Sequence, residues 1–305
     1  MSKKALWIDS DLAVGMQRIN RPGYSDVDDG YAIWQLMHAP EVDIRGLSAV
    51  FGNTSIENAH QLCQHMSREF SAQPFPVFKG AGEALDLRDI QTNEAVEALA
   101  EALRAQPLTI MAIGPATNVG LLLLLYPELA AHIDEVVLVA GRRQASDHFA
   151  IGTQGRHAPD LNFDLDNDAF RVMFEAGVSV TLCPFEISSK VWLRSEDLDQ
   201  LAQGGPAQRW LAEHSRPWLA QWVEQGADGF NPFDVLASHY IIAPHDIIAE
   251  PLQAHLEIHP DDTDPQAGRR VFKPYLICDH QAGYPVKYCY DVVGGYQHRL
   301  METLL

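Results

Sequence analysis

The sequence predicts an α/β fold, an open and mostly parallel central sheet flanked by helices. Three observations carry this. Short aliphatic runs alternate with helix-patterned segments through the first two-thirds of the chain. Acidic and amide side chains gather where those runs end. The last third adds strand-like segments suited to a sheet edge. Strand then helix, repeated, lays the strands parallel through right-handed crossovers.

Taken in order, the strands are expected at Ala5–Asp9, Ile44–Phe51, Leu108–Ile113, Glu135–Ala140 and Val178–Pro184. Between them lie "DDGYAIWQLMHA", "SIENAHQLCQHMSREF", "NEAVEALAEALRA", "TNVGLLLLLYPELAAHI" and "NDAFRVMFEAG". Each shows the three-to-four spacing of apolar residues that a helix packed on a sheet requires. Pro206–Gln225 reads as helical, with Trp210, Trp218 and Trp222 on one packed face. "PFDVLASHYIIAP" reads as another helix, beginning near Asn231 or Pro232. "AHLEIH" and "PVKYCYDVV" read as strands, added antiparallel at the sheet edge, and "GGYQHRLMETLL" closes with a helix. No internal repeat or low-complexity linker interrupts the pattern, so one domain over residues 1–305 is expected.

Composition narrows the function. The 305 residues are 47% hydrophobic, enough for a sizeable core. Lys and Arg total 22 against 41 Asp and Glu, a formal charge of -19. Such a field repels polyphosphate backbones, so nucleic acid is not the expected partner. A small neutral or cationic ligand, or a metal ion, suits it. Cys63, Cys183, Cys278 and Cys289 form no CxxC pair and signal neither a zinc ribbon nor a disulfide framework. The amino terminus lacks a signal-peptide pattern, and the longest apolar run, "VGLLLLLYPELAA", is too short to span a bilayer. A cytoplasmic protein without membrane attachment is expected. No G-x-G-x-x-G follows a strand, so a dinucleotide site is unsupported.

Ligands of open α/β sheets bind beyond the carboxyl ends of the strands. Asp9 and Asp11 follow the first strand, "GNTS" the second and "GPATN" the third. Asp26, Asp28 and Asp29 then open the first helix, after a Gly/Pro-containing excursion. Asp9 and Asp11, two apart in an extended segment, share a face. One of the later acids, Asp26 or Asp28, suits a helix cap, but a cap accounts for only one acid of the cluster. A divalent cation accounts for more, because carboxylates and carbonyls are hard oxygen donors suited to Ca²⁺ or Mg²⁺. Metal-assisted hydrolysis is the chemistry such a site supports.

With these residues assembled, the chain resembles the inosine/uridine-preferring nucleoside hydrolase family. That family's strand–D-x-D-P-G-x-D-D–helix signature is present in two halves, "DSD" and "SDVDDGYA", with about fourteen extra residues between them. Similarity continues at "VFGN", "AIGPATN", "VVLVAG", "DLNFDLDNDAF" and "NPFDVLA", in the expected order. The resemblance implies a Rossmann-like nucleoside hydrolase fold and hydrolysis of the N-glycosidic bond of ribonucleosides to ribose and free base. It implies that Asp11 binds Ca²⁺ and is the general base toward its bound water. Asp29 and Asp234 would supply carboxylate ligands, and Ile113 its backbone carbonyl. Asp28, Asn53 and Asn162 would bind the ribose, and Asp9 would orient the metal ligands from behind. A homodimer or homotetramer is implied as well.

Departures from the family pattern are also legible. The insertion "LAVGMQRINRPGY" after Asp11 is either a surface loop or a flap or subunit contact near the pocket. The family's Glu before the ribose-binding Asn is Asp160, one methylene shorter. Many members have a His before the late Asp, where it protonates the leaving base; here Phe233 stands there, either stacked on the base or packed in the core. His239 and His245 are not clearly aimed inward, and no general acid is assigned. Two rival readings remain at this level. One is a non-catalytic ribose or nucleoside binding protein that retains the calcium site. The other is a haloacid-dehalogenase-type phosphatase with Asp9 as nucleophile.

Overall fold

The structure is a computed structural model describing residues 3–18, 22–153, 156–263 and 271–305. Its main sheet has nine strands. The first five are β1 (Lys4–Ser10), β2 (Val42–Ala49), β3 (Val77–Lys79), β4 (Leu108–Ala112) and β5 (Ile133–Leu138). A separate two-stranded hairpin follows, β6 (Phe149–Ile151) with β7 (Arg156–Ala158). Then come β8 (Val180–Leu182), β9 (Ile247–Pro260), β10 (Phe272–Asp279) and β11 (Tyr284–Val292). The α-helices are α1 (Asp28–His38), α2 (Ile56–His65), α3 (Glu94–Ala105), α4 (Thr117–Leu125), α5 (Leu161–Leu165) and α6 (Asn167–Glu175). They continue with α7 (Phe185–Ser188), α8 (Ser195–Leu201), α9 (Pro206–Glu224), α10 (Phe233–Ile242) and α11 (Tyr296–Leu304).

In the main sheet the strand order is β10-β9-β11-β8-β5-β4-β1-β2-β3. The run from β3 to β8 is parallel, as expected, and β9 pairs antiparallel with both β10 and β11 at the edge. Side-chain alternation along the strands builds a core on each face. Leu6, Ile8 and Met111 join one apolar cluster with α1, α9, α10 and α11. Trp7 and Ile110 join the other with α3, α4 and α6.

The order reverses between β1 and β4, which lie side by side although both are followed by helices that cover opposite faces. Such a switch point leaves a crevice beyond the strand ends, where ligands of this architecture bind. Asp9 and Asp11 leave β1 at this point, and Ile113 leaves β4 beside them, its N–H donating to the Asp9 carbonyl at 2.9 Å.

Some boundaries differ from expectation. β2 stops at Ala49, where Val50 and Phe51 turn toward Gly52. The segment read as one helix from Thr117 divides at Tyr126 (φ -133°, ψ 60°) into α4 and a 3₁₀ turn, Pro127–His132. The residue before a proline is driven out of helical geometry, and Pro127 does this here. The insertion meets α9 through Tyr24, whose N–H donates to Gln221 Oε1 at 2.6 Å and whose carbonyl accepts from Gln221 Nε2 at 3.3 Å. Part of that insertion, residues 19–21, lies outside the described residues.

Candidate active site

The site is built outward from the end of β1. Asp9 is fully buried, and its Oδ1 accepts from Ser48 Oγ and, at 2.8 Å, from Asn118 Nδ2. Trp7 Nε1 donates to Ser48 Oγ at 3.0 Å, completing the chain from the sheet. Asn118 also donates to the Ala49 carbonyl at 3.2 Å and accepts from the Ala81 N–H at 2.9 Å. One amide thus staples the ends of β1 and β2 to the segment after β3. Burial pushes the Asp9 carboxyl up to about 6, against the opposing pull of Ser48 and Asn118.

Asp11 is also fully buried. Its Oδ2 accepts from the Asn53 N–H at 2.7 Å, while its Oδ1 has no hydrogen-bond partner in the protein. The close approach explains the glycine in "VFGN". Gly52 has φ +152°, and a Cβ there would lie 2.0 Å from Asp11 Oδ2.

Two helix N-termini deliver the other acids. Asp28 and Asp29 open α1, and Asp234 lies in the first turn of α10, where the amide dipoles favour negative charge. Asp28 Oδ2 accepts from the Asp234 N–H at 3.2 Å. Ser10 Oγ donates to Asp29 Oδ1, leaving Asp29 Oδ2 buried without a partner. The expected helix cap is corrected. Val27 occupies the cap position with no side-chain cap bond, because Asp28 is engaged by α10 and Asp26 lines the cavity. Oxygens of Asp26, Asp28 and Asp29 lie within 4.8 Å of one another.

These carboxylates raise one another's affinity for protons. Burial and then the Asp29 charge hold the Asp11 carboxyl well above its ordinary range. Burial, followed by Asp28, Asp29, Asp26 and Asp11, does the same to Asp234. Asp29 is pushed up to about 7 and Asp28 to about 6, in both cases by burial first. A cluster that resists ionisation in isolation, with unpartnered oxygens on Asp11, Asp26 and Asp29, has the donor chemistry of a hard-cation site. The residues fit such an ion.

Above this floor opens a cavity of about 1070 Å³. Asp26, Asp28, Asn53, Ile113, Asp160, Asn162 and Asp234 line its polar end. Phe149, Phe185, Trp218, Trp222 and Phe233 line the aromatic part. Phe233 is half-buried, with Phe149 edge-on at 5.1 Å and Trp222 at 6.3 Å. Asn162 Nδ2 donates to the carbonyls of Ile113 at 2.9 Å and Val139 at 3.2 Å, so its donors are spent on the two strand ends. Asp160 Oδ2 accepts from the Gly141 N–H at 2.8 Å, and burial pushes its carboxyl up to about 6.

The residues named from sequence therefore converge. Asp28, Asn53, Ile113, Asp160, Asn162, Phe233 and Asp234 line the cavity, and Asp11 and Asp29 are buried among the same carboxylates. Asp9 is set behind them and is not among the cavity-lining residues. His239 is buried against Asp246, with Nε2 at 3.1 Å from Oδ2, and His245 is exposed beside it; neither lines the cavity. Asp26, which the sequence offers both as a helix cap and as one acid of the cation-binding cluster, lines the cavity, whereas Asn118 carries no role in the sequence reading. That reading takes Trp218 and Trp222 as core and does not find the β6–β7 hairpin that brings Phe149 to the cavity. The clustered acids around Asp26 were a usable signal. Asn118 had none, because its partners lie far away in sequence.

Fold and site define an α/β enzyme whose acidic centre sits at the switch point of a doubly wound sheet. The family described as "Inosine-uridine preferring nucleoside hydrolase" matches residues 7–292. A pyrimidine-specific ribonucleoside hydrolase of Escherichia coli is 28% identical over 221 residues, covering 63% of this chain and 67% of that protein. Among solved structures, a plant nucleoside hydrolase superposes with a TM-score of 0.75 at 17% identity, covering 99% of this chain and 97% of the other. A purine-preferring ribonucleoside hydrolase from Gardnerella vaginalis gives a TM-score of 0.74 at 18% identity, covering 99% and 98%. The chain belongs to the inosine-uridine preferring nucleoside hydrolases, enzymes that hydrolyse the N-glycosidic bond of ribonucleosides. The phosphatase reading loses its support, since the family model that matches residues 7–292 is that of the nucleoside hydrolases.

Proposed function

We propose that the protein cleaves ribonucleosides to ribose and free base with a Ca²⁺ ion held by Asp11, Asp29, Asp234 and the Ile113 carbonyl. The observation that carries this is a buried acidic cluster beside an aromatic-walled cavity, with the oxygens of Asp26, Asp28 and Asp29 close together and unpartnered oxygens on Asp11, Asp26 and Asp29. Calcium is preferred over smaller hard cations because it tolerates many oxygens in irregular geometry. When bound, the ion would supply the charge that docks sugar hydroxyls and eases deprotonation of water.

The chain's own residues do the rest. Asp11, held by the Asn53 N–H through Oδ2, presents Oδ1 to take the proton of the attacking water. Asp28, Asn53, Asn162 and Asp160 orient the ribose, so that its anomeric carbon stands beside that water. As the glycosidic bond breaks, positive charge grows on the sugar, and the surrounding carboxylates stabilise it. Phe233 stacks on the base. Asp9 is a positioning residue, fixing the end of β1 through Ser48 and Asn118.

The proposal extends to a chain acting as one domain over residues 1–305, in the cytoplasm, as a homodimer or homotetramer. All four cysteines are free and buried, which fits a reducing compartment. Light scattering tests the assembly.

The direct experiment is a panel of ribonucleosides assayed for reducing sugar and free base. Asp11→Ala is expected to lose activity by roughly 10²-fold or more, the scale of a general base, with its melting temperature retained. Full turnover in that variant removes Asp11 as the base. Calorimetric binding of a nucleoside without product on long incubation favours a non-catalytic binding protein.

A further inference from the structure

The two helices that carry the acids, α1 and α10, pack side by side and are joined at two levels. At their N-termini the Asp234 N–H donates to Asp28 Oδ2. Roughly one to two turns further on, a network of polar side chains crosses the same interface. Gln35 of α1 is 2% exposed, Ser238 and His239 of α10 are 0% and 1% exposed, and Asp246, at the end of the turn Pro244–Asp246, is 4% exposed. The surrounding interface is apolar, with Ala32, Leu36, Val235 and Leu236 all in the core.

Proton positions in this network follow from its partners. Thr303 Oγ1 gives its single proton to the Leu300 carbonyl at 2.7 Å, so toward Gln35, at 2.6 Å, it accepts. The Gln35 amide nitrogen therefore faces Thr303 and His239, and its oxygen accepts from Ser238 Oγ at 2.5 Å. The second amide hydrogen meets His239 Nδ1 at 3.2 Å, which makes that nitrogen an acceptor. His239 then carries its proton on Nε2, 3.1 Å from Asp246 Oδ2, and Arg299 donates to the other Asp246 oxygen. With the imidazole neutral, each donor faces an acceptor. Burial agrees, holding His239 below its ordinary pKa against the pull of Asp246. The other titratable groups facing it are His245, beside Asp246, and Arg299 and Tyr296 of α11.

Buried polar groups of this kind add little stability over apolar side chains of the same shape, but they fix which residue of one helix stands opposite which residue of the other. A slide of α1 along α10 leaves the Gln35 amide and the imidazole buried without partners, a cost that apolar side chains do not impose. Asp28 and Asp29 sit on α1 and Asp234 on α10, so the same slide pulls the acids out of step. Resting on the cation-dependent reading above, we propose that Gln35 and His239 are positioning residues for the cation site, a polar register lock that keeps the α1 acids aligned with the α10 acid. Neither residue lines the cavity, so each acts through the helix that bears it. Arg299 and Thr303 bring the carboxy-terminal helix α11 into the same lock.

The test measures Ca²⁺ binding to the chelator-treated full chain by calorimetry, together with the ring-nitrogen NMR signals of His239, assigned by their loss in His239→Gln. Wild type is expected to bind Ca²⁺ and to show His239 neutral, with its proton on Nε2, from pH 6 to 8. Gln35→Met fills the same space without donor or acceptor. It is expected to weaken Ca²⁺ binding by roughly 10- to 100-fold while circular dichroism reports a folded chain, the scale on which groups behind a metal site act. Thr303→Val removes only the acceptor that orients the Gln35 amide and leaves both acid-bearing helices unaltered. Its binding is expected to weaken in the same direction, which decides the matter if Gln35→Met does not fold. Gln35→Glu turns the group facing Nδ1 into an acceptor, and is expected to convert His239 to an imidazolium at neutral pH, a signature that packing alone does not produce. Wild-type Ca²⁺ affinity in the folded variants, or a wild-type His239 with its proton on Nδ1, overturns the lock and leaves the cation site and nucleoside hydrolysis standing. A wild type that binds no Ca²⁺ overturns the cation reading and the lock with it.

Discussion

At the scale of single residues, the site depends on close approaches that only particular side chains permit. Gly52 is the sharpest case. Its φ is positive, and a Cβ attached there would meet Asp11 Oδ2 at 2.0 Å, so any side chain displaces the proposed base. Gly52→Ala is expected to lower kcat by roughly 10²-fold, the cost of misplacing a reacting group by about 1 Å. Steady-state kinetics beside a thermal melt check this, and wild-type kcat in the variant would show that Asp11 tolerates the shift. Several of these residues were legible in the sequence because acids that repel each other need a reason to gather. Asp26 was harder to read, since it occupies the position of a glycine in the family motif and resembles a helix cap. Phe233 was identified as a replacement for a histidine, but its aromatic neighbours come from other elements and only the fold reveals them.

At the scale of elements, the alternation of strand and helix gave the parallel half of the sheet with small boundary errors, because its strands are nearly continuous apolar runs. β3 spans only Val77–Lys79 and β10 lies beyond a segment of turn-like composition, so neither carried a periodic signal long enough to read. Asn118 shows what sequence spacing conceals. It reaches Asp9, Ala49 and Ala81, joining three elements at the floor of the crevice. Asn118→Ala leaves buried acceptors on Asp9 and Ala49 with one donor fewer, a loss of about 1–3 kcal/mol. A denaturant melt is expected to show this as a lower midpoint with unchanged slope. An unchanged midpoint would mean that the three strand ends hold their positions without it.

At the scale of the whole molecule, a chain of charge -19 concentrates buried carboxylates in one crevice, and their protonation must couple to stability. Asp9 and Asp28 are pushed up to about 6 and Asp29 to about 7, chiefly by burial. Unfolded carboxylates release their protons near 4, so between about pH 4 and 7 the folded, metal-free chain holds more protons than the unfolded chain. The stability these groups contribute is complete below pH 4 and is lost as pH rises through their folded values. A cation that binds the ionised cluster reverses this loss at neutral pH and competes with protons in acid. The most direct test is the melting temperature of chelator-treated protein, with and without added Ca²⁺, from pH 4 to 8. Without Ca²⁺ the melting temperature should fall as the pH rises toward 7. Saturating Ca²⁺ should raise it by about 5 °C or more at pH 7 to 8 and by little at pH 4. A melting temperature indifferent to Ca²⁺ across that range would contradict a shared cation among Asp11, Asp29 and Asp234.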